Sequence, residues 1–388
     1  MYKAPIAHST KTGKKIGEVY YDKFVLTYRA ALQKKLSNRR SWSEGIFGHR
    51  NDKVVMKLLP GSKAEAFIKH CIKSDRFMRT LLYGDMDQML AMFQILMRWV
   101  GNPWELRKLS DQDKLNLSQQ QRQGAGPVCH FHSVVKRVFV ETLYETELDK
   151  EWVFRWKLLK YCPYCGDGSV AITNHVDANG KNVVSKTVLD HYLPKSEFPY
   201  FAVNIFNLYP CCWRCNSADL KGGNIPIERD ATGTYHYLIM HPHHYEDSRL
   251  SFNYIPSSPQ HPNDDIELSC SDPYIEKGYK NILGLEALYK NYIDEARDMI
   301  DRANEYLNLY AVSYGKQTFG FDKRFLQYYV RSTLGFNPYG KKPYEVQRYK
   351  FRMDIFRQLN RQHNIQTGTE GQETEGQVPV SDRIGTVR

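Results

Sequence analysis

Two Cys-x-x-Cys pairs, Cys162-Pro-Tyr-Cys165 and Cys212-Trp-Arg-Cys215, constrain this chain more than any other feature. A tight turn lets both thiolates of such a pair reach one metal ion at ~2.3 Å, and two pairs complete a tetrahedral set with no open coordination position. That donor set implies a structural zinc ion rather than a catalytic one. Cys211 stands beside Cys212 and could compete with it, but only Cys212 has the two-residue spacing to Cys215. The stretch between the pairs far exceeds the ~15–20 residues of a compact zinc ribbon, so something folded must fill it. In a reducing compartment, pairs of this kind indicate metal more than disulfide. Cys71, Cys129, Cys211 and Cys270 are scattered and read as small buried hydrophobes.

The filling carries residues fit for chemistry. Residues 183–191, VVSKTVLDH, are rich in β-branched side chains and read as a strand. The Asp-Ala-Asn-Gly run at 177–180 supplies a turn, so 170–190 is expected to form a hairpin. Asp190 is a hard oxygen ligand suited to Mg²⁺ or a similar cation. His191 can activate water near neutral pH, since an unperturbed imidazole titrates at ~6.5. Successive side chains of a regular strand face opposite ways, so this pair can serve one site only if the strand ends or bends there. Pro194 supplies the break. Asn216, directly after the last cysteine, can lend an amide oxygen to the same cation. The zinc clip would then hold both halves of the site in register.

Read in order, the chain has Cys-Pro-Tyr-Cys-Gly, then Leu-Asp-His-x-Leu-Pro-Lys-Ser, then Asn-Leu-x-Pro-x-Cys-x-x-Cys-Asn and Lys-Gly. This pattern resembles the HNH, or ββα-metal, endonuclease family, and more narrowly the HNH proteins of bacterial anti-phage defence loci. His241-Pro242, the run Gly284 to Tyr289, and Asp354-Ile355 extend the likeness over about 155–360, densest at 162–222. The resemblance implies a metal-dependent DNA endonuclease. Asp190 and Asn216 would be ligands of a catalytic Mg²⁺ or Mn²⁺, and His191 the general base. Asn207 would brace the loop and orient His191, and Lys221 would contact a phosphate. Four residues separate Asn216 from Lys221 where the family usually has two, so Asp219 is an alternative neighbour of the cation. The resemblance further implies a partner, often an ATPase or sensor, that restrains cleavage until infection. RNA is an alternative substrate. The competing reading is a zinc-stabilised adaptor that binds nucleic acid or protein without cutting.

Charge fits either a polyanionic partner or a solvated face that aids solubility. The formal net charge is +11, and residues 1–50 hold eleven Lys and Arg against three Asp and Glu. Clustered cations displace counterions from phosphates and bind nucleic acid without regard to sequence. No run of eighteen apolar residues occurs and the N-terminus lacks the apolar core of a signal peptide, so a cytoplasmic location is expected. Ser62 and Glu65 make a capping box that opens a helical stretch over 62–100, in which Met86, Met89, Phe93 and Met97 recur at helical spacing as core or partner contact. A polar linker follows at 110–127, and further helices are expected over 133–159, 285–312 and 343–360. His241, His243 and His244 read as a strand end packed beside the core. Cys129-His130-Phe131-His132 has no ligand partner at a recognised spacing. The expected fold is α+β and mostly helical. A nuclease region at 128–360, with a ββα-metal core at 160–225 and C-terminal helices, follows a basic helical region at 1–127 for binding or regulation. The tail at 361–388 is too poor in large apolar side chains to order.

Overall fold

Polar caps and a glycine stop divide the N-terminal helical sequence into separate helices. A computed structural model describes residues 1–9, 12–38, 40–46, 49–100, 127–171, 173–176, 182–185, 188–259, 262–314, 323–338, 341–363 and 377–380. Helix α1 spans Ile16–Ser37, α2 Lys63–Lys73, α3 Asp75–Tyr83 and α4 Met86–Val100. Ser62 caps α2 by accepting the Glu65 N–H at 3.2 Å, and the Glu65 carboxylate accepts the Gly61 N–H at 2.7 Å. Ser74 closes α2 and caps α3, accepting the Phe77 N–H at 3.2 Å. Gly84 then ends α3, so the helical stretch expected over 62–100 is divided into three helices. Met86, Met89 and Phe93 are fully buried, as a core stripe requires. The linker expected at 110–127 lies outside the described residues except for Pro127. Helix α5 (Pro127–Val135) runs on with π-type bonding over Lys136–Glu147, and α6 covers Lys150–Lys157.

Strands come as short pairs. β1 covers Ile6–Ser9, and β2 (Trp42–Ile46) and β3 (His49–Met56) form an antiparallel hairpin. β4 (Thr173–Val176) and β5 (Asn182–Ser185) form a second, with Thr173 opposite Ser185, and the turn expected at 177–180 lies outside the described residues. β6 (Val188–His191) pairs not with that hairpin but with β7 (Leu208–Cys211). The strand expected over 183–191 is thus two strands with different partners. β8 (Ile227–Arg229) pairs with β9 (Tyr235–Tyr237), and β10 (Leu250–Ile255) with β11 (Asp265–Cys270). The C-terminal helices are α7 (Pro273–Glu276), α8 (Leu285–Lys290), α9 (Ile293–Tyr314), α10 (Lys323–Leu334) and α11 (Tyr349–Gln362). In the tail expected from 361, 364–376 and 381–388 lie outside the described residues, and Gln377–Val380 forms β12. The chain is α+β and mostly helical. Among the described residues no helix is long and apolar enough to cross a membrane.

The chain divides into two units whose bounds interleave in sequence: 7–156, 189–209 and 378–388 in one, and 1–6, 157–188 and 210–377 in the other. In the first, α1 lines up Tyr20, Phe24 and Tyr28, and Trp152 packs on the first two with ring centroids 5.7 Å apart. The buried Tyr20 hydroxyl donates to the Val203 carbonyl at 2.8 Å. Asn204, also fully buried, donates its amide to the Thr80 and Gly84 carbonyls at 3.1 Å, satisfying the C-terminal end of α3. Residues 189–209 are therefore built into the helical N-terminal part of the chain.

In the second unit, Phe252 on β10, Tyr289 on α8 and Phe351 on α11 form an aromatic core, with Phe252 and Tyr289 centroids 4.3 Å apart. Asp354 on α11 accepts the Phe252 N–H at 3.0 Å and the buried Lys350 ammonium at 2.8 Å, while burial pushes its carboxyl above the ordinary carboxylate range. Lys350 keeps Asp247 at 3.0 Å, so removing Asp354 chiefly orphans the buried Phe252 N–H, at a cost of ~1–3 kcal/mol. We expect Asp354→Ala to lower the urea midpoint, with a loss of unfolding free energy of that size, measured by circular dichroism. An unchanged midpoint would show that this pair does not hold α11 to β10.

Candidate active site and metal centre

Each Cys-x-x-Cys pair closes a small knuckle. The Cys162 N–H donates to the Gly168 carbonyl at 2.8 Å and the Gly166 N–H to the Cys162 carbonyl at 2.7 Å. In the second pair the Asn216 N–H donates to the Cys212 carbonyl at 3.1 Å. The two knuckles meet because Gly168 has no side chain: a Cβ there would lie 2.4 Å from Cys212 Cβ. The sulfurs of Cys162, Cys165, Cys212 and Cys215 all lie within 4.8 Å of one another and all four residues are buried. A tetrahedral site with metal–sulfur bonds of ~2.3 Å has sulfur–sulfur edges of about 3.8 Å. Cys165 and Cys212 are 3.7 Å apart, so this donor set fits a metal ion such as zinc.

Cys211 comes within 3.9 Å of the Cys162 sulfur but stands outside the four-residue set. Its S–H donates instead to the Cys212 carbonyl, and burial pushes its thiol well above the ordinary range. Burial does the same to Cys162, whereas S–H donors from the neighbouring cysteines hold Cys212 well below that range. The knuckles are anchored from outside. Tyr289 donates its hydroxyl to the Cys165 carbonyl at 2.6 Å, and Arg348 pairs with Asp167 at 2.8 Å. Arg214 donates to the Leu283 carbonyl at 2.8 Å.

Asp190 and His191 close β6, and both are buried, at 4% and 6% exposure. Beyond them the chain turns at Pro194, where the sequence places its break. Asn207 controls this turn from the far end of the loop. Its Oδ1 accepts the Leu193 N–H at 2.6 Å, and its Nδ2 donates to the Leu193 and Phe201 carbonyls, both at 3.1 Å. Its own carbonyl accepts the Tyr192 N–H at 2.8 Å. With Phe201 held, the adjacent Ala202 carbonyl lies 3.0 Å from His191 Nε2. A carbonyl only accepts, so Nε2 carries a proton, and in the neutral imidazole Nδ1 then holds the lone pair. The Tyr144 ring meets the imidazole edge-on at 4.5 Å, and its hydroxyl donates to the Leu189 carbonyl at 3.4 Å. Burial first, then the charges of Glu145 and Asp190, raise the Tyr144 phenol, so it stays neutral.

The structure brings Asp190, His191 and Asn207 together in one unit, and the four cysteines, Asn216 and Lys221 belong to the other. Asn216 is half-buried at the end of the second knuckle, and Gly222 passes so close that a Cβ would sit 2.1 Å from its carbonyl oxygen. Asp219 is exposed. Lys221 is fully buried, with its ammonium 5.5 Å from the Tyr164 ring centroid.

The histidine group expected at a strand end lies instead on a short 3₁₀ turn, Pro242–His244. The His241 and His243 rings are 5.7 Å apart, His243 Nδ1 lies 3.0 Å from the Ala4 carbonyl oxygen, and burial lowers the His243 imidazole well below its ordinary range. Among the described residues, the four cysteines form the one group of three or more His, Cys, Asp or Glu able to hold a metal ion. The Cys129 and His130 side chains lie outside the described residues. Sequence reasoning missed Tyr144, the Ala202 carbonyl and Asn204. The Asn204-x-x-Asn207 spacing was the available signal for the last.

The chain matches no protein-family model, no curated protein and no solved structure. Its chemistry has to be read from its own geometry.

Metal content tests the cysteine set directly. Protein purified without chelator should contain zinc in equal proportion to chain, and Cys212→Ser should lose it while Cys211→Ser keeps it. Loss in the Cys211 variant alone would assign the fourth sulfur to the wrong neighbour.

Proposed function

We propose that this chain is a metal-dependent HNH-type endonuclease that hydrolyses phosphodiester bonds in DNA. The observation that carries the reading is the Asn207-braced loop, which fixes the tautomer of a buried histidine directly after a buried aspartate at a strand end. The buried His243 also faces a backbone carbonyl, so what sets His191 apart is the buried aspartate before it and the Asn207 brace on the loop that supplies its acceptor.

His191 acts as general base. Its Nδ1 takes a proton from water, the water oxygen forms a bond to phosphorus, the bond from phosphorus to the leaving sugar oxygen breaks, and that oxygen takes up a proton from solvent. Asn207 keeps the imidazole in place through Phe201 and Ala202. Tyr144 limits its rotation from the other side. Asp190 would hold a Mg²⁺ or Mn²⁺ ion. Mg²⁺ takes only one or two protein carboxylates and fills its remaining positions with water and phosphate oxygens, which suits a site with a single acidic residue. When bound, that cation would neutralise the charge that develops on the phosphate oxygens. The four-cysteine set would hold zinc as a closed structural site. The basic N-terminal segment supplies sequence-independent affinity for the DNA backbone. The family resemblance adds a role in anti-phage defence, with cleavage restrained by a partner protein.

With Mg²⁺ or Mn²⁺ the purified chain should nick plasmid DNA, and His191→Ala should slow this by ~10²–10⁴-fold, the usual contribution of a positioned base. Equal rates would remove His191 from the chemistry. Absence of cleavage under every metal and partner would favour the adaptor reading, and preferential cutting of a matched RNA would make the substrate RNA.

A further inference from the structure

Lys221, the lysine that the family pattern assigns to a phosphate, is buried against Tyr164. The unit that contains His191 supplies two other lysines. Lys150 opens α6, and Lys195 follows Pro194 in the loop that Asn207 braces. Their ammonium groups lie 4.4 Å and 4.5 Å from the centroid of the Tyr144 ring, the ring that meets His191 edge-on at 4.5 Å. Glu145, the next residue, takes Lys150 on one carboxylate oxygen at 2.7 Å and Lys195 on the other at 2.8 Å. Burial pushes the Glu145 carboxyl up, but the two lysine bonds outweigh it and hold the group below its ordinary range, so it stays ionised.

This arrangement has three features. Two ammonium groups converge on one carboxylate beside the histidine, and the Asp190 carboxylate, which also acts on Tyr144, is the charge the proposed cation would offset. Each ammonium has three N–H donors, so the bond to Glu145 leaves donors for an incoming anion. Both side chains keep access to solvent, at 33% and 38% exposure, while the carboxylate and the aromatic face hold their tips in place before any ligand arrives. Partly exposed ion pairs add little to stability. Stability alone therefore gives weak reason for two lysines from different elements to converge on one carboxylate.

We infer that Lys150 and Lys195, bridged by Glu145 and backed by Tyr144, form a clamp for nucleic-acid phosphates next to the bond attacked at His191. The inference rests on the nuclease reading for what the clamp serves, but its binding role is tested separately.

The experiment measures binding of a short fluorescein-labelled DNA duplex by anisotropy across a series of salt concentrations. It uses full-length, zinc-loaded protein carrying His191→Ala so that no cutting intervenes. Lys150→Gln and Lys195→Gln should each lower the slope of log Kd against log salt by ~1, since each removes one phosphate contact. Lys150→Arg with Lys195→Arg should keep the parent slope. Unchanged slopes in the Gln variants, no salt-dependent binding by the parent, or equal loss in the Arg variant would each overturn the clamp. Plasmid nicking by chains that retain His191 separates the two readings. Lowered slopes without any nicking leave the clamp standing and remove the nuclease. Nicking with unchanged slopes does the reverse.

Discussion

The Asn207 side chain is the interaction on which the candidate site depends. One carboxamide satisfies the backbone of Leu193 on both its N–H and its carbonyl, and reaches the Phe201 carbonyl as well. It is fully buried, so these bonds form away from competing water, where an unmade bond costs most. Closing 193–201 in this way places the Ala202 carbonyl on His191, and that bond decides which imidazole nitrogen keeps its lone pair. The surrounding helices secure the same loop independently, through Tyr20 to Val203 and through Asn204 to the end of α3. Loop precision is therefore paid for by rigid elements rather than by the loop itself.

The cysteine set is a second constraint of a different kind. Four sulfurs contributed by two knuckles far apart in sequence close within 4.8 Å, and Gly168 is the residue that permits the approach. Around it, Tyr289, Arg348 and Arg214 hold the knuckle backbones from the C-terminal helices and the turn before α8. Metal affinity of such a site adds directly to folding free energy, because the unfolded chain has no preformed donor set. The residues 166–211 that separate the knuckles leave one unit at Val188 and return to it at Pro210. The histidine and the sulfurs are thus reached by one continuous stretch of chain.

What the sequence made legible was local. Cysteine spacing, the Ser62 cap, the hairpin around 177–180 and the stop near Pro194 all act over a few residues, and each has its counterpart in the described fold. The break of 62–100 into three helices was also written locally, at Ser74 and Gly84, but the hydrophobic spacing that runs across both positions masks it. Other features had no local signature. The Ala202 carbonyl is a backbone atom and could be any residue's. Tyr144, Glu145 and Lys150 stand some forty residues before His191 and reach it only after folding. Lys221 looks exposed in a polar Asp-Leu-Lys-Gly context, yet its stem and ammonium are buried over an aromatic ring. Nor could the reading of 1–127 as a region for binding or regulation show that α1, α3 and α4 share a unit with residues 189–209.

The central claim is that Asp190, next to His191, holds a divalent cation separate from the one the cysteines bind. Electron paramagnetic resonance of Mn²⁺ titrated into zinc-loaded protein measures this directly, since bound and free Mn²⁺ give different signals. The account predicts a saturable site in the native chain that Asp190→Ala abolishes without loss of zinc. Superimposable titrations of the two proteins would contradict it.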